Sequence, residues 1–428
     1  MHKMNRDFKI GIIGLGYVGF PLACLFAGKY PVIGFDLNPA RVRQLSDGID
    51  NNNEVTPEQH AAALANGMRL TSDPSELKGC NVYIVAVPTP VDSHRHPDMS
   101  PLESASRIIG SVISRGDIVV FESTVYPGAT EDFCAPIIEQ VSGLRLNEDF
   151  YLGYSPERIN PGDRIHTVNN IIKITSGSTP EAADVIDGLY GSVLLNGTYR
   201  ASSIKVAEAA KIMENTQRDI NIAFMNEMTM IFNALDIDIY DVIEAASTKW
   251  NFLPFTPGLV GGHCISVDPY YLIERSKDKD VYPRLTTEAR RINNGMGRFI
   301  VNKLVNKMTM AGINVVGSRI LILGFTFKEN CPDVRNTKIA DIYNQLSRYT
   351  PHISVFDPWA DSAVVARHYG IDIITDSAQL RPGSYDAVLY CVKHDKFNSI
   401  GLENLCKPGG IFFDVKGNID RKISTHRL

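Results

Sequence analysis

The feature that most constrains this chain is a glycine triplet placed between a strand and a helix. Gly14-Leu15-Gly16-Tyr17-Val18-Gly19 follows directly on the Ile-rich run Phe8–Gly14 and opens a helical pattern. A strand that turns this sharply into a helix leaves bare backbone N–H groups, and the positive end of the helix, open to a pyrophosphate. The next apolar run, Val32–Asp36, ends in an acid about 20 residues further on. That spacing gives the triplet its meaning. A carboxylate at Asp36 would hydrogen-bond the ribose hydroxyls of an adenine dinucleotide and repel a 2′-phosphate, so NAD is expected over NADP. Arg41 and Arg43 work against this, because a nearby Arg can accept a 2′-phosphate. Arg43 reads as a solvated helix face, and Arg41 is counted with the cofactor residues.

The rest of the chain extends the pattern. Further buried-strand runs occur at Val82–Val87 and Ile118–Glu122, with helical stretches between, and two more strands are expected near Tyr151–Ser155 and Ile171–Thr175. Alternation of this kind predicts a parallel doubly wound sheet. Ser202–Ala234 then runs 33 residues without Gly or Pro, with apolar residues at helical spacing from Ile204 through Met213. One long helix is expected there, joining two domains or packing on another subunit. Helices continue through Ile239–Ala246 and Thr286–Ala311. From Val315 the first logic returns: Arg319–Gly324 ends in glycine, Ile353–Asp357 ends in Asp, and Ala387–Val392 and Ile411–Val415 supply later strands. The Gly-to-Asp spacing is 33 residues here against 22 in the first region, so the repeat is architectural. The expected fold is α/β. Residues 1–200 and 315–428 form two Rossmann-like parallel-sheet domains, and a central helical domain, 201–314, joins them. Asp47–Gln59 is expected to be a surface loop.

Bulk properties narrow the function. With 428 residues, 44% hydrophobic and 21% charged, each domain can bury its own core. A net charge of −5 supplies no basic field for nucleic acid or an acidic membrane. No apolar run approaches the roughly 20 residues that span a bilayer, and the short polar N-terminus lacks the pattern of a secretory signal. Seven scattered cysteines without a C-x-x-C pair fit reduced thiols, so a cytoplasmic location is expected.

Five further motifs follow in order: AVPTPV at Ala86–Val91, ESTVYPG at Glu122–Gly128, YSPERI at Tyr154–Ile159, GGHCISVDPYY at Gly261–Tyr271 and FTFKENCPDVR at Phe325–Arg335. With the glycine triplet they resemble the UDP-glucose/GDP-mannose dehydrogenase family over essentially the whole chain. The resemblance implies an NAD-binding first domain, a central domain that forms a homodimer, and a C-terminal domain for the UDP-sugar substrate. It adds Pro88, Thr89, Ser123 and Thr124 to the cofactor residues.

The chemistry has its own logic. Turning an alcohol into an acid removes two hydrides, and the aldehyde between them must not escape. A thiolate adds to that aldehyde, the thiohemiacetal loses the second hydride, and the thioester is hydrolysed. Cys264 is the candidate, since Gly261-Gly262 before it let backbone approach a ligand. A lone Cys is usually a buried apolar residue, and the other six are read as structural. A side chain adjacent to Cys264 in an extended segment would point away from it, so His263 is read as structural or supporting. A metal held by His263, Cys264 and Asp268 lacks further ligands, and none is expected.

The resemblance implies roles for the remaining residues. Asp268 activates a water or the thiol. Lys211 and Asn215, one helical turn apart, stabilise the developing oxyanion and hold the water. Glu157 acts in thioester hydrolysis, and Thr124 orients a water near the nicotinamide. Arg158, Phe255, Gly258, Gly261 and Lys328 join the substrate residues, Lys328 at the phosphate or sugar, and Arg335 is assigned to NAD. Lys328 or Arg335 could equally form surface ion pairs with Glu329 or Asp333.

Thr248–Leu253 and PGLVGGHCISVDPYYL resemble the bacterial branch acting on UDP-N-acetylhexosamines, which supplies surface-polysaccharide precursors; Arg290 and Arg291 also resemble it. UDP-N-acetylglucosamine is the first choice, with UDP-N-acetylgalactosamine nearly equal, then UDP-N-acetylmannosamine, UDP-glucose and GDP-mannose. Two rival classes remain. A two-electron hydroxy-acid or phosphosugar dehydrogenase needs no nucleophilic Cys and no second Rossmann-like domain. A non-enzymatic NAD sensor needs no Lys211, Asn215, Cys264 and Asp268 together.

Overall fold

A computed structural model describes residues 7–52, 54–92, 94–159 and 168–428. They divide into two compact units. The first holds the chain up to Glu214 together with Tyr270–Val281, and the second holds Asn215–Pro269 and Tyr282–Leu428.

The first unit is built on six parallel strands: β1 (Ile10–Ile13), β2 (Val32–Phe35), β3 (Arg69–Thr71), β4 (Val82–Val85), β5 (Ile118–Phe121) and β6 (Tyr151–Tyr154). Their order is β3-β2-β1-β4-β5-β6. That order reverses direction between β1 and β4, where doubly wound folds bind ligands beyond the carboxyl ends of their strands. The runs are continuously apolar because both faces of the sheet are covered. Ile10, Ile12, Val82 and Ile84 enter one core, while Ile13, Tyr83 and Val85 enter the other. Helices α1 (Gly19–Ala27), α2 (Pro39–Ser46), α3 (Pro57–Ala65), α4 (Ser100–Val112) and α5 (Ala135–Ser142) connect the strands. The stretch 47–59 is not all loop: Thr56 and Gln59 form a reciprocal capping box that starts α3 at Pro57. Next, β7 (Lys173–Thr175), α6 (Pro180–Gly191) and β8 (Thr198–Arg200) add a separate two-stranded parallel sheet.

The expected long helix is α7 (Ile204–Ala234), and the division between the units falls within it. After it come α8 (Ile239–Ser247), α9 (Asp268–Lys277) and α10 (Arg284–Met310). The second sheet contains β9 (Ile320–Leu323), β10 (Ile353–Phe356), β11 (Tyr385–Tyr390), β12 (Cys406–Asp414) and β13 (His426–Arg427). All are parallel, in the order β10-β9-β11-β12-β13. Helices α11 (Ile339–Leu346) and α12 (Ser362–Tyr369) lie between its strands in sequence, and Ile300, Leu304, Ile342 and Val365 share a core with Ile322 and Leu389. No helix among the described residues is long and apolar enough to cross a membrane.

Candidate active site

The three glycines after β1 serve three different needs. Gly14 has φ +94°, and a Cβ there would lie 2.8 Å from the Ala86 carbonyl oxygen. A Cβ on Gly19 would run into the Gly14 carbonyl oxygen, so α1 can pack this close only without one. Gly16 has no heavy atom within 4 Å of where its Cβ would be, leaving its backbone open to a ligand. Val18 is the N-cap of α1 and makes no side-chain cap bond; Phe20 N donates to the Gly16 carbonyl at 3.4 Å and Pro21 has no N–H, which leaves the Gly19 N–H of that turn for an anion. Asp36, half-buried, accepts from Leu15 N at 2.9 Å and from Asn38 N at 2.9 Å, which ties the end of β2 to the glycine turn. Each carboxylate oxygen keeps a second lone pair for a ribose hydroxyl. Arg41 donates to the Leu15 carbonyl at 2.9 Å and pairs with Asp50 at 2.7 Å. Its charge is therefore matched by Asp50, which removes the argument for a 2′-phosphate. Pro88 and Thr89 lie in the loop after β4, and Ser123 reaches back from the end of β5 to the Val87 carbonyl at 2.6 Å. Half-buried Thr124 follows.

Glu157 sits after β6 in a buried charged cluster that sequence reasoning missed. Lys173 on β7, 0% exposed, donates to Glu157 Oε2 at 3.0 Å, to Glu122 Oε2 at 2.6 Å and to the Pro156 carbonyl at 3.2 Å. Tyr190 on α6 donates to Glu122 Oε1 at 2.5 Å. Burial pushes the Glu122 carboxyl well above its ordinary range, against the pull of Lys173. Burial also opposes the charge on Lys173, but the two carboxylates outweigh it and keep the ammonium protonated. Arg158 is exposed and pairs with Glu214 at 2.7 Å. Lys211, on α7, is buried.

In the second unit Cys264 lies in a turn, not in the extended segment expected. Its carbonyl accepts from Val267 N at 2.9 Å and Asp268 N at 2.8 Å, leading into α9. The separation of His263 from Cys264 thus cannot rest on strand alternation. His263 stands 3.5 Å from Asp333 instead. Buried Asp268 accepts a short hydrogen bond from the Asn215 side-chain amide. The preceding loop is clamped by Asn226, whose side chain bonds both the N–H of Gly258, at 2.8 Å, and its carbonyl, at 3.0 Å. Asn226 in turn bonds Asn293, which donates to Asp219, the partner of Arg290 at 2.6 Å. Gly261 packs so near the Asn336 carbonyl oxygen that a Cβ would lie 2.9 Å from it, and Phe255 is half-buried. No cysteine is in a disulfide. Burial pushes the thiols of Cys24 and Cys134 up to about 12 and those of Cys80 and Cys406 to about 11, and Cys391 is raised further. Those five are inert thiols.

Half-buried Lys328 lies in the loop after β9, where its carbonyl accepts from Thr326 at 2.9 Å. Arg335 makes a bidentate pair with Asp333, at 3.0 and 2.6 Å, so the ion pair raised as its alternative does form, with a buried rather than a surface carboxylate. Burial opposes the charge on Asp333, but Arg335 holds its carboxyl below the ordinary range. Among the described residues, no group of three or more His, Cys, Asp or Glu could hold a metal ion.

The NAD-binding domain model of the UDP-glucose/GDP-mannose dehydrogenase family matches residues 8–194, its central domain 205–295 and its UDP-binding domain 321–421. The chain belongs to this family. It is an NAD-dependent nucleotide-sugar dehydrogenase, and the open Gly16 backbone, the uncapped turn of α1 and Asp36 fit the dinucleotide. A UDP-N-acetyl-D-glucosamine 6-dehydrogenase of Pseudomonas aeruginosa is 50% identical over 428 residues, covering 99% of this chain and 100% of that protein. Another, of Salmonella typhi, is 50% identical over 425 residues, with 99% of each covered. Among solved structures, a UDP-D-ManNAc dehydrogenase from Pyrococcus horikoshii matches with a TM-score of 0.88 at 30% identity, covering 98% of both chains.

Proposed function

We propose that the chain oxidises the C6 alcohol of a UDP-N-acetylhexosamine, with UDP-N-acetylglucosamine first in order, to the carboxylate through a covalent intermediate on Cys264. The sugar assignment rests on the two relatives that are half identical over their full length. The observation that carries the chemistry is the turn itself. It joins Cys264 to Asp268, and the Asp268 carboxylate is held by Asn215. A nucleophile and an acid/base group therefore share one element boundary, and the orienting amide reaches the acid from α7.

NAD supplies hydride acceptance, once from the alcohol and once from the thiohemiacetal. The chain's residues do the rest. Asp268 takes the alcohol proton, and Lys211 and Asn215 stabilise the oxyanion. Cys264 retains the aldehyde carbon as a thiohemiacetal and then as a thioester. Glu157 accepts a proton from the hydrolytic water, and Thr124 orients a water. Lys328 binds the diphosphate or sugar, with Gly258, Gly261, Phe255 and Arg158 around it, and Arg335 contributes to the cofactor. The product suits surface-polysaccharide synthesis in a reducing, cytoplasmic setting.

We also propose a homodimer through the central region. On α7, Phe224 and Ile231 stand seven residues apart, which places them on one face, and both are exposed, as is Leu235 just beyond the end of the helix. Trp250, 91% exposed, and Leu253 add apolar surface in the same unit. A monomer by light scattering at micromolar concentration overturns the dimer.

The enzymatic reading is tested by offering NAD and a panel of five nucleotide sugars while counting NADH per sugar and weighing the intact protein after rapid quench. Two NADH per sugar with no free aldehyde is expected, with the fastest turnover on UDP-N-acetylglucosamine. One NADH per sugar, or full two-step activity in Cys264→Ala, overturns the covalent route.

A further inference from the structure

We propose that Lys173 is a positioning residue for the hydrolytic half of the reaction. It fixes the Glu157 carboxylate in place with a single oxygen atom available to accept a proton, and Glu122 and Tyr190 hold Lys173 from behind. This rests on the assignment of thioester hydrolysis to Glu157 made above.

The hydrogen bonds define the arrangement. An ammonium has three N–H groups, and Lys173 has three acceptors: Glu122 Oε2, the Pro156 carbonyl and Glu157 Oε2. A neutral amine could not donate to all three. On Glu157, Oε1 accepts from Arg158 N at 2.6 Å and from Ile159 N at 2.7 Å, which uses both of its lone pairs. Oε2 accepts only Lys173 among these bonds, so its second lone pair is the place where a proton can land. In hydrolysis the water oxygen bonds to the thioester carbon, its proton passes to Glu157 Oε2, and the carbon–sulfur bond breaks to leave the thiolate on Cys264. No oxidant or reductant is needed.

Three elements packed against Lys173 supply charged or titratable groups: Glu122 from the end of β5, Tyr190 from α6 and Glu157 after β6. Its ammonium also lies 5.8 Å from the centre of the Tyr190 ring. Glu122 and Glu157 thus share one cation. Lys173→Met removes the positive charge that faces Glu157 Oε2, whereas Glu122→Gln removes a negative charge and leaves the cation to Glu157 alone.

The test uses full-length Glu157→Gln, Lys173→Met and Glu122→Gln enzymes. Rapid-quench mass follows the sugar adduct on Cys264, and the pH dependence of turnover is measured for Lys173→Met and Glu122→Gln. The expected result is adduct accumulation in Glu157→Gln and Lys173→Met, with steady-state turnover at least tenfold lower in the latter. The limb of the pH profile governed by hydrolysis should move up by about one pH unit in Lys173→Met and down in Glu122→Gln. Opposed shifts are not expected of a merely structural cluster, whose loss would lower activity at all pH values alike. Adduct in Glu157→Gln with wild-type hydrolysis in Lys173→Met overturns the role of Lys173 alone, as do limbs that stay still or move the same way. Absence of adduct in Glu157→Gln overturns the underlying assignment instead. If Lys173→Met does not fold, the downward shift in Glu122→Gln decides.

Discussion

The first and last thirds of this chain use one architectural device for two different ends. In each, a strand ends in a glycine with positive φ, +94° at Gly14 and +91° at Gly324, and the neighbouring strand ends in an Asp that accepts N–H groups from the residues after that glycine. In the first, Asp36 is half-buried and holds Leu15 N and Asn38 N, and α1 begins at once at Gly19. In the second, Asp357 is fully buried and accepts from four N–H groups, of Phe325, Thr326, Trp359 and Ala360, and pairs with His394 at 3.0 Å. The next helix, α11, starts only at Ile339, and Lys328 lies on the loop between. His394 Nδ1 also accepts from Asn330 N at 3.0 Å, which sets its tautomer and pins that loop. The sheet provides the crevice in both. What differs is whether the acid keeps hydrogen-bonding capacity for a ligand or is consumed in holding a loop.

The largest expected effect follows from this difference. Asp357→Ala leaves four buried N–H groups and the His394 ring without their acceptor, so the second unit should lose about 3–5 kcal/mol, a fall in melting temperature on the order of 10 °C. NAD binding by the remaining folded protein should be unchanged. Acid sharpens the test. Burial opposes the charge on Asp357, but His394 and the Phe325 and Thr326 N–H groups win and hold its carboxyl below the ordinary range. A depressed carboxylate contributes stability that is complete above the unfolded value near ~3.9 and is lost as pH falls through the folded value. Calorimetry should therefore find a stability loss in wild type below about pH 4 that is smaller in the variant. Equal acid sensitivity in the two proteins would show that Asp357 does not carry it.

The parallel between the two regions was legible in the chain because it rests on local rules. Runs such as Val82–Val85 and Ile320–Leu323 are apolar at every position because both faces of each sheet are covered, and glycine and Asp mark their ends. The capping box at Thr56 and Gln59 was equally local and was passed over beneath a polar run. Other features were not local. Glu122, Lys173 and Tyr190 come from three separate elements, and nothing near any of them signals that a buried lysine will bind two carboxylates. The same holds for Asn226, which reaches across sequence to Gly258. Strands β3, β8 and β13, two or three residues each, are too short to show a period, and their pairing is set by neighbours. At Cys264 the residue and its partner Asp268 were readable, but the backbone between them closes into a turn through bonds to the Cys264 carbonyl.

A middle-sized effect separates architecture from ligand within the first turn. Gly19→Ala forces a methyl into the Gly14 carbonyl and should cost about 1–3 kcal/mol of stability by overpacking. Gly16→Ala meets no protein atom and should leave stability within about 0.5 kcal/mol of wild type, while the NAD Michaelis constant rises at least tenfold. Thermal melts and steady-state kinetics on the two variants should thus give opposite patterns. If Gly16→Ala loses stability and retains NAD affinity, the open backbone at Gly16 is not the pyrophosphate site.

The smallest effect tests whether Asp36 retains the capacity that Asp357 has spent. Its two oxygens each hold one backbone N–H, and both lie where the glycine turn meets the end of β2. Asp36→Ala should cost about 1 kcal/mol of stability, the net value of ordinary hydrogen bonds at a partly exposed site, far less than Asp357→Ala. It also removes the ribose acceptor and the charge that repels a 2′-phosphate. Loss of a charged hydrogen bond is worth about 1.5 kcal/mol or more, and each 1.4 kcal/mol is about tenfold, so the NAD Michaelis constant should rise roughly tenfold. Preference for NAD over NADP should shrink by a comparable factor. It should not reverse, because Asp50 keeps Arg41 occupied at 2.7 Å. Combining the change with Asp50→Asn releases Arg41 and should bring NADP use up further. An unchanged ratio of the two cofactors in both variants would mean that Asp36 serves the turn alone, as Asp357 does, and that the two regions are more alike than their ligands require.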